Sequence, residues 1–163
     1  MGKITINGQI CEFVDGESIL KIARKNDIFI PAICYVSCCS PTLACRLCMV
    51  EADGKIVYSC NAKAKDGQNV ITNSPELHVA RKEIMKTYLI NHPLECGVCD
   101  QSGECELQNY TLMLGVDEVN YSIKETHKPI KNFSEFIDYD PSLCIVCERC
   151  ITVCKDKIGE NAL

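Results

Sequence analysis

Apolar and polar residues alternate from Lys3 to Asn7 and again from Gln9 to Val14, with Asn7-Gly8 between them. Alternation at period two predicts strands, and Asn-Gly is the strongest two-residue hairpin signal. Asp15-Gly16 turns the chain once more. From Ser18 to Lys25 the period changes, because Ile19, Leu20, Ile22 and Ala23 form an apolar stripe at helical spacing. Strand patterns return at Met49–Ala52 and Lys55–Ser59, around the Asp53-Gly54 turn, and at Asn69–Thr72. The order hairpin, helix, cysteine-rich loop, hairpin, last strand predicts a small mixed sheet packed on one helix. Ser74 then caps a helix with Pro75 at its first position and Glu76 in its first turn. That helix should run to about Asn91. Its apolar face of Leu77, Ala80, Ile84, Met85, Tyr88 and Leu89 reads as core packing. Cys105–Met113 predicts a second, short helix. Residues Gly115–Asp140 are polar and weakly patterned, which reads as a connecting segment, and Cys147–Lys157 reads as helical. The expected class is α+β, in three segments: 1–73, 74–115 and 116–163.

Composition narrows the function classes. The chain has 163 residues, 47% apolar and 24% charged, enough for one or two small domains and too short for a large enzyme with its own substrate pocket. A formal charge of −5 argues against a nucleic-acid groove, which needs clustered Lys and Arg. The longest apolar run, Ile28–Cys39, is broken by Pro31, so no membrane span is expected. The alternating start Gly2-Lys3-Ile4-Thr5-Ile6 has a strand pattern and not that of a secretory leader. No G-x-G-x-x-G turn offers a flavin or nicotinamide site.

The chemistry is in the cysteines, of which there are fourteen. Disulfides belong to exported chains, and paired C-x2-C steps suit two ligands of one metal better than a disulfide framework. Structural zinc is a second reading, since its ligand types are present. Iron–sulfur clusters are the third. The run Cys144-x2-Cys147-x2-Cys150-x3-Cys154 is the ferredoxin form, and zinc modules do not normally use it. Three constellations account for eleven of the cysteines.

Cys34, Cys45, Cys48 and Cys60 follow C-x10-C-x2-C-x11-C. A [2Fe–2S] core needs two thiolates on each iron and protection from water, which a wrapped loop closed by one cysteine of the next hairpin can supply. The simple C-x4-C-x2-C spacing fails because position 42 is Thr. Cys38 and Cys39 are then left over and expected to pack as small buried apolar residues. Cys11, in a strand, reads as core. His92, Cys96, Cys99 and Cys105 follow H-x3-C-x2-C-x5-C and suit a [4Fe–4S] cube with one imidazole. His78 and His127 have no partners in sequence and read as surface residues. Cys144, Cys147 and Cys150 supply three corners of a further cube. In ferredoxin runs the last cysteine, here Cys154, serves the other cluster of a pair. Cys154 therefore either does that or closes the third site irregularly.

Several stretches resemble the N-terminal part of the large iron–sulfur subunit of complex I, NADH:quinone oxidoreductase. They are Ile30-Pro-Ala-Ile-Cys34-Tyr35, Ala44-Cys-Arg-Leu-Cys48-Met-Val-Glu51, Asn91-His-Pro-Leu-Glu-Cys96, Cys99-Asp-Gln-Ser-Gly-Glu-Cys-Glu-Leu-Gln108 and Asp140-Pro-Ser-Leu-Cys144-Ile-Val-Cys-Glu-Arg-Cys150. The resemblance runs over nearly the whole chain. It implies a plant-type ferredoxin-like (β-grasp) [2Fe–2S] domain, then a small helical [4Fe–4S] domain with one histidine and three cysteine ligands. The start of a ferredoxin-type [4Fe–4S] segment would follow. The resemblance also implies electron transfer without a catalytic site in the chain itself, toward quinone, inside a multisubunit respiratory complex. The partners implied are other subunits and a flavoprotein or ferredoxin-like donor. The location implied is cytoplasmic, peripheral on the inner face of the cell membrane through the complex. Iron-only hydrogenases, NAD-linked hydrogenases and formate dehydrogenases share this front end, so their electron-relay regions are the alternative. Family members continue into a much larger region, so a fragment is expected here.

Overall fold

The computed structural model describes residues 1–119, 131–135 and 137–161. They form two compact units, residues 1–80 with 147–163, and residues 81–146.

In the first unit a hairpin of β1 (Gly2–Ile6) and β2 (Gln9–Phe13) turns through Asn7 and Gly8, both at positive φ, the backbone that a two-residue turn of this hand requires. Helix α1 (Ile19–Lys25) follows. Its Ser18 cap accepts a hydrogen bond from the Lys21 amide at 3.3 Å, and Ile19, Leu20, Ile22 and Ala23 are fully buried. A second hairpin, β3 (Met49–Ala52) and β4 (Lys55–Tyr58), and a last strand, β5 (Asn69–Ile71), complete a sheet of order β2-β1-β5-β3-β4. The β1–β5 pair is parallel and the others are antiparallel. The sheet is thus mixed, and the α+β class holds. Ile4, Ile6, Val50 and Val70 from the strands meet α1 in one core, which also takes in Cys11, Cys48 and Cys60. Near the chain end, α4 (Arg149–Val153) runs directly into a π-helical turn, Cys154–Ile158.

Helix α2 (Pro75–Leu89) starts at Pro75, with Ser74 Oγ accepting from the Leu77 amide at 3.3 Å. Leu77, Met85 and Leu89 are buried and Ile84 and Tyr88 are half-buried, in keeping with the apolar face read from the sequence. Arg81 lies on the same stripe and is buried too, which the apolar pattern does not indicate. The helix stops two residues before the expected Asn91. In the second unit α3 (Glu106–Met113) buries Leu107 and Tyr110.

Residues 115–140 correct the sequence reading. They are not only a connection, because β6 (Lys131–Ser134) and β7 (Ile137–Tyr139) pair antiparallel as a separate two-stranded sheet. The register shifts between Asn132 and Ser134, and such a bulge breaks the strict alternation that a strand is read from. No helix among the described residues is long and apolar enough to cross a membrane.

Candidate metal centres

All fourteen cysteines are free thiols. The loop between α1 and β3 carries Cys34, Cys45 and Cys48, and Cys60 follows β4. Ile30, Ala32 and Ile33 are buried and anchor the start of the loop, so Cys34 enters the interior with its neighbours. Leu43 and Arg46 both take positive φ, at 62° and 55°, on either side of Cys45. Such left-handed residues fold a short segment back on itself, at a cost a non-glycine side chain meets only where its surroundings fix it. The four thiols end up almost completely shielded, with exposures of 4%, 1%, 1% and 3%.

Hydrogen-bond donors gather on these sulfurs. The Cys45 and Ala44 amides and the Thr42 hydroxyl bond to Cys34, the Leu47 amide bonds to Cys45, and the Cys60 amide bonds to Cys48. Cys48 and Cys60 stand 3.2 Å apart, and either sulfur can donate across that contact. Cys34 and Cys45 also share a sulfur–sulfur hydrogen bond. The Cys45 hydrogen bond, helped by the nearby amides and opposed by burial, holds the Cys34 thiol below its ordinary range, and the Cys60 hydrogen bond does the same for Cys48. Their partners Cys45 and Cys60 are pushed far up, by that same hydrogen bond first and by burial second. A dry enclosure accepts one thiolate per pair and resists the second unless positive charge comes with it. An iron–sulfur core brings that charge, and the inward amides suit its sulfurs, so these residues fit a binuclear cluster. Ser59, fully buried beside Cys60, fixes the site from behind: its amide and its hydroxyl both donate to the Cys48 carbonyl, at 2.9 and 2.7 Å.

The second constellation is built differently. His92 follows α2, Cys96 and Cys99 lie in the turns after it, and Cys105 is the N-cap of α3. The Cys105 sulfur accepts the Gln108 amide at 3.5 Å, so any negative charge on it would face the positive end of a helix. All four line one cavity of about 390 Å³, with Leu94, Val98 and Leu143 among its walls. His92 Nδ1 is buried in that setting with no hydrogen-bond partner among the described residues. A buried ring nitrogen left unpaired is costly, and a metal ion satisfies it. Burial also lowers the His92 pKa, which favours the neutral imidazole that metals bind. Cys96, Cys99 and Cys105 are half-buried. The donor set and the cavity fit a tetranuclear cluster. Among the described residues no three His, Cys, Asp or Glu side chains converge on a single-ion position. A multinuclear core spreads its ligands over separate irons and needs a wider cage than one ion does.

The third constellation is divided between the units. Cys144, which ends a 3-10 turn (Pro141–Leu143), is exposed in the second unit. In the first unit Cys147 is half-buried between Val146 and Glu148, both at positive φ, and Cys150 is exposed on α4. Cys154 is buried, and its thiol donates to the Glu160 carbonyl at 3.2 Å.

The remaining candidates separate cleanly. Cys11 is buried in β2, as a core residue. His78 is exposed, and His127 lies outside the described residues. Cys38 and Cys39 depart from expectation: Cys38 is exposed and Cys39 half-buried. Thr42 and Ser59, the hydroxyl donors around the first cage, are not marked in the sequence, since an isolated Thr or Ser carries no spacing signal.

Residues 2–75 match the 2Fe-2S iron–sulfur cluster binding domain, and residues 81–120 match the NADH-ubiquinone oxidoreductase-G iron–sulfur binding region. Iron–sulfur binding regions are thus matched over the loop that carries Cys34, Cys45, Cys48 and Cys60 and over the His92–Cys105 segment. The chain is 39% identical over 165 residues to the NADPH-Fe(3+) oxidoreductase subunit alpha of Geobacter sulfurreducens, covering 100% of the chain and 20% of that protein. It is 35% identical over 167 residues to the G 2 subunit of the NADH-quinone oxidoreductase of Rhizobium meliloti, again 100% of the chain and 20% of the relative. A crystal structure of an NAD+-reducing [NiFe]-hydrogenase in the H2-reduced state superposes with a TM-score of 0.87 at 27% identity, over 94% of this chain and 65% of that one. The chain therefore spans about a fifth of the length of these curated relatives. Both of those relatives are named as subunits of oxidoreductases.

Proposed function

We propose that this chain carries electrons one at a time through a [2Fe–2S] cluster held by Cys34, Cys45, Cys48 and Cys60 and a [4Fe–4S] cluster held by His92, Cys96, Cys99 and Cys105. The first sits in a plant-type ferredoxin-like, β-grasp domain over residues 1–73, the second in a small helical domain over 74–115. Residues 116–163 begin a further [4Fe–4S] segment with Cys144, Cys147 and Cys150 as ligands and Cys154 as the candidate for the fourth position. The observation that carries the reading is the pairing of a dry four-thiol cage with a separate cavity lined by three thiols and by His92, whose buried ring nitrogen has no partner among the described residues.

The clusters supply reversible one-electron chemistry at iron. The chain's own groups supply everything around it. Inward amides and the Thr42 hydroxyl stabilise negative sulfur at the first site. The buried Ile30–Cys34 segment and the sheet core exclude water there. At the second site a neutral imidazole replaces a thiolate, which makes the ligand set less negative and leaves one ring nitrogen free to exchange a proton. The sequence offers no G-x-G-x-x-G turn for a flavin or nicotinamide, and bond-making is assigned to partner subunits.

For the whole protein we infer a subunit of an NADH:quinone oxidoreductase-type complex, peripheral on the inner face of the cell membrane. Electrons would enter from a flavoprotein or ferredoxin-like partner and leave toward quinone. The second reading is the electron-relay region of an NAD-linked or iron-only hydrogenase or a formate dehydrogenase. The likeness to the NAD+-reducing hydrogenase structure favours that reading.

Ligand substitution tests the assignment. Cys48→Ala should abolish the binuclear EPR signal of the anaerobically reduced protein and keep the tetranuclear signals, and Cys99→Ala should remove the tetranuclear signal of the His92 site and keep the binuclear one. Loss of both signals in either variant, or of neither, would refute independent sites with these ligands.

A further inference from the structure

Two thiols stand outside all three constellations and are not core. Cys38 and Cys39 are adjacent in sequence, with their sulfurs 3.8 Å apart and facing each other. Cys38 is open to solvent. Cys39 lines a cleft of about 480 Å³ together with Tyr35, Lys21 and Lys63. The turn that presents the pair is tied down on both sides. The Cys39 amide donates to the Val36 carbonyl at 3.1 Å, and the next amide, of Ser40, donates to the Asp156 carboxylate at 2.7 Å across 116 residues of sequence. The backbone around the two sulfurs is therefore fixed before any ligand arrives, which removes much of the ordering cost of chelation.

We propose that Cys38 and Cys39 form a bidentate site for a soft, low-coordinate thiophilic ion, trivalent arsenic being its probe. Bonds of about 2.3 Å from sulfur to such a centre, at angles of roughly 95–120°, put two sulfurs roughly 3.4–4.0 Å apart. The observed separation falls in that range. Thiolates select soft ions. Among the described residues no third His, Cys, Asp or Glu donor converges with the pair. That disfavours four-coordinate zinc and suits a centre content with two sulfurs. With phenylarsine oxide each thiol gives up its proton and two sulfur–arsenic bonds form. The arsenic–oxygen bond breaks, and the oxygen leaves as water with both protons. Arsenic stays trivalent and no electron is transferred.

The inference rests on the ligand assignment above to the extent that neither sulfur holds iron, so iron and sulfide are measured on the same samples. Anaerobically purified full chain is treated with phenylarsine oxide and its adducts are counted by native mass spectrometry. Wild type should carry one more arsenical than the Cys38→Ser/Cys39→Ser variant, released by excess dithiol and not by monothiol, with iron content unchanged. Cys38→Ser, Cys39→Ser and Cys38→Ala should each lose that same adduct, because the grip needs both sulfurs. Equal counts in wild type and double variant would overturn the site, as would a single variant that keeps the adduct, or arsenical uptake that releases iron. Iron already missing from untreated Cys38→Ser would instead give these sulfurs to the cluster and overturn the proposal by that route. Iron missing from untreated wild type would count against the proposed function, while the difference in arsenical count would still decide this site.

Discussion

The two intact constellations solve the same problem with opposite means. At the first, four thiols are at most 4% exposed, and two of them, Cys48 and Cys60, belong to the apolar core shared by a five-stranded sheet and α1. Sheet and helix bury Ile4, Ile6, Ile19, Leu20, Ile22, Val50 and Val70 almost completely, so the scaffold has its own reason to fold. At the second, three half-buried cysteines and His92 line an open cavity, and its wall residues Leu94 and Val98 are 66% and 82% exposed. The support there is the end of α2 and the eight residues of α3. A helix that short is marginal by itself. On the proposed reading, a bound cluster would supply different things at the two places: charge compensation inside a finished core at one, and much of the organising energy at the other.

Removing iron should break the symmetry between them most visibly. In protein stripped of iron and sulfide under anaerobic conditions, amide hydrogen exchange at α3 and residues 92–105 should approach unprotected rates. The amides of β1, β3 and β5 should stay protected. Equal protection in both regions would mean the second site is organised without its metal, and equal loss would mean the sheet is not self-sufficient.

A core substitution sharpens the same contrast from the other side. Ile22→Ala leaves a cavity in a fully buried position and should cost about 2–5 kcal/mol, read as a lower denaturation midpoint of the sheet region. The tetranuclear signal should survive this substitution in native conditions. Its disappearance would tie the second site's integrity to the first unit's core.

The smallest effect concerns pH. Glu17 accepts hydrogen bonds from the Lys25 ammonium and the Val14 amide, and Lys21 stands 3.5 Å away. The Lys25 hydrogen bond, then that of the Val14 amide, lowers its pKa from an ordinary 4.5 to about 2. The folded state therefore binds fewer protons than the unfolded state between those values. Stability from this group is complete above about pH 5 and is lost as pH falls through the folded value near 2. Glu17→Gln should flatten that acid limb in equilibrium unfolding, and an unchanged pH profile would show that the cluster of Lys21, Lys25 and Glu17 contributes nothing.

Much of this is readable in the chain because its signals are local. Asn7-Gly8 and Asp53-Gly54 fix two hairpins within a residue, and Ser18 and Ser74 mark where two helices begin. The cysteine spacings single out the residues that line both sites. What stays hidden depends on contacts distant in sequence, or on backbone irregularity. The β6–β7 pair carries a register shift, and α4 passes into a π-helical turn, so neither keeps one period. Arg81 sits in an apolar stripe by tertiary context. The Cys38–Cys39 turn reads as buried because a small apolar side chain and an exposed thiol look alike in a sequence, and its tether to Asp156 spans most of the chain.

Iron held by sulfur and one imidazole in two separate cages is the central claim. The direct measurement is low-temperature EPR of the dithionite-reduced, anaerobically purified chain, with iron and acid-labile sulfide counted on the same sample. One binuclear and at least one tetranuclear signal, with at least about six irons and six sulfides per chain, is the predicted result. A colourless protein containing zinc or cystine bridges, with no reducible iron, would contradict it.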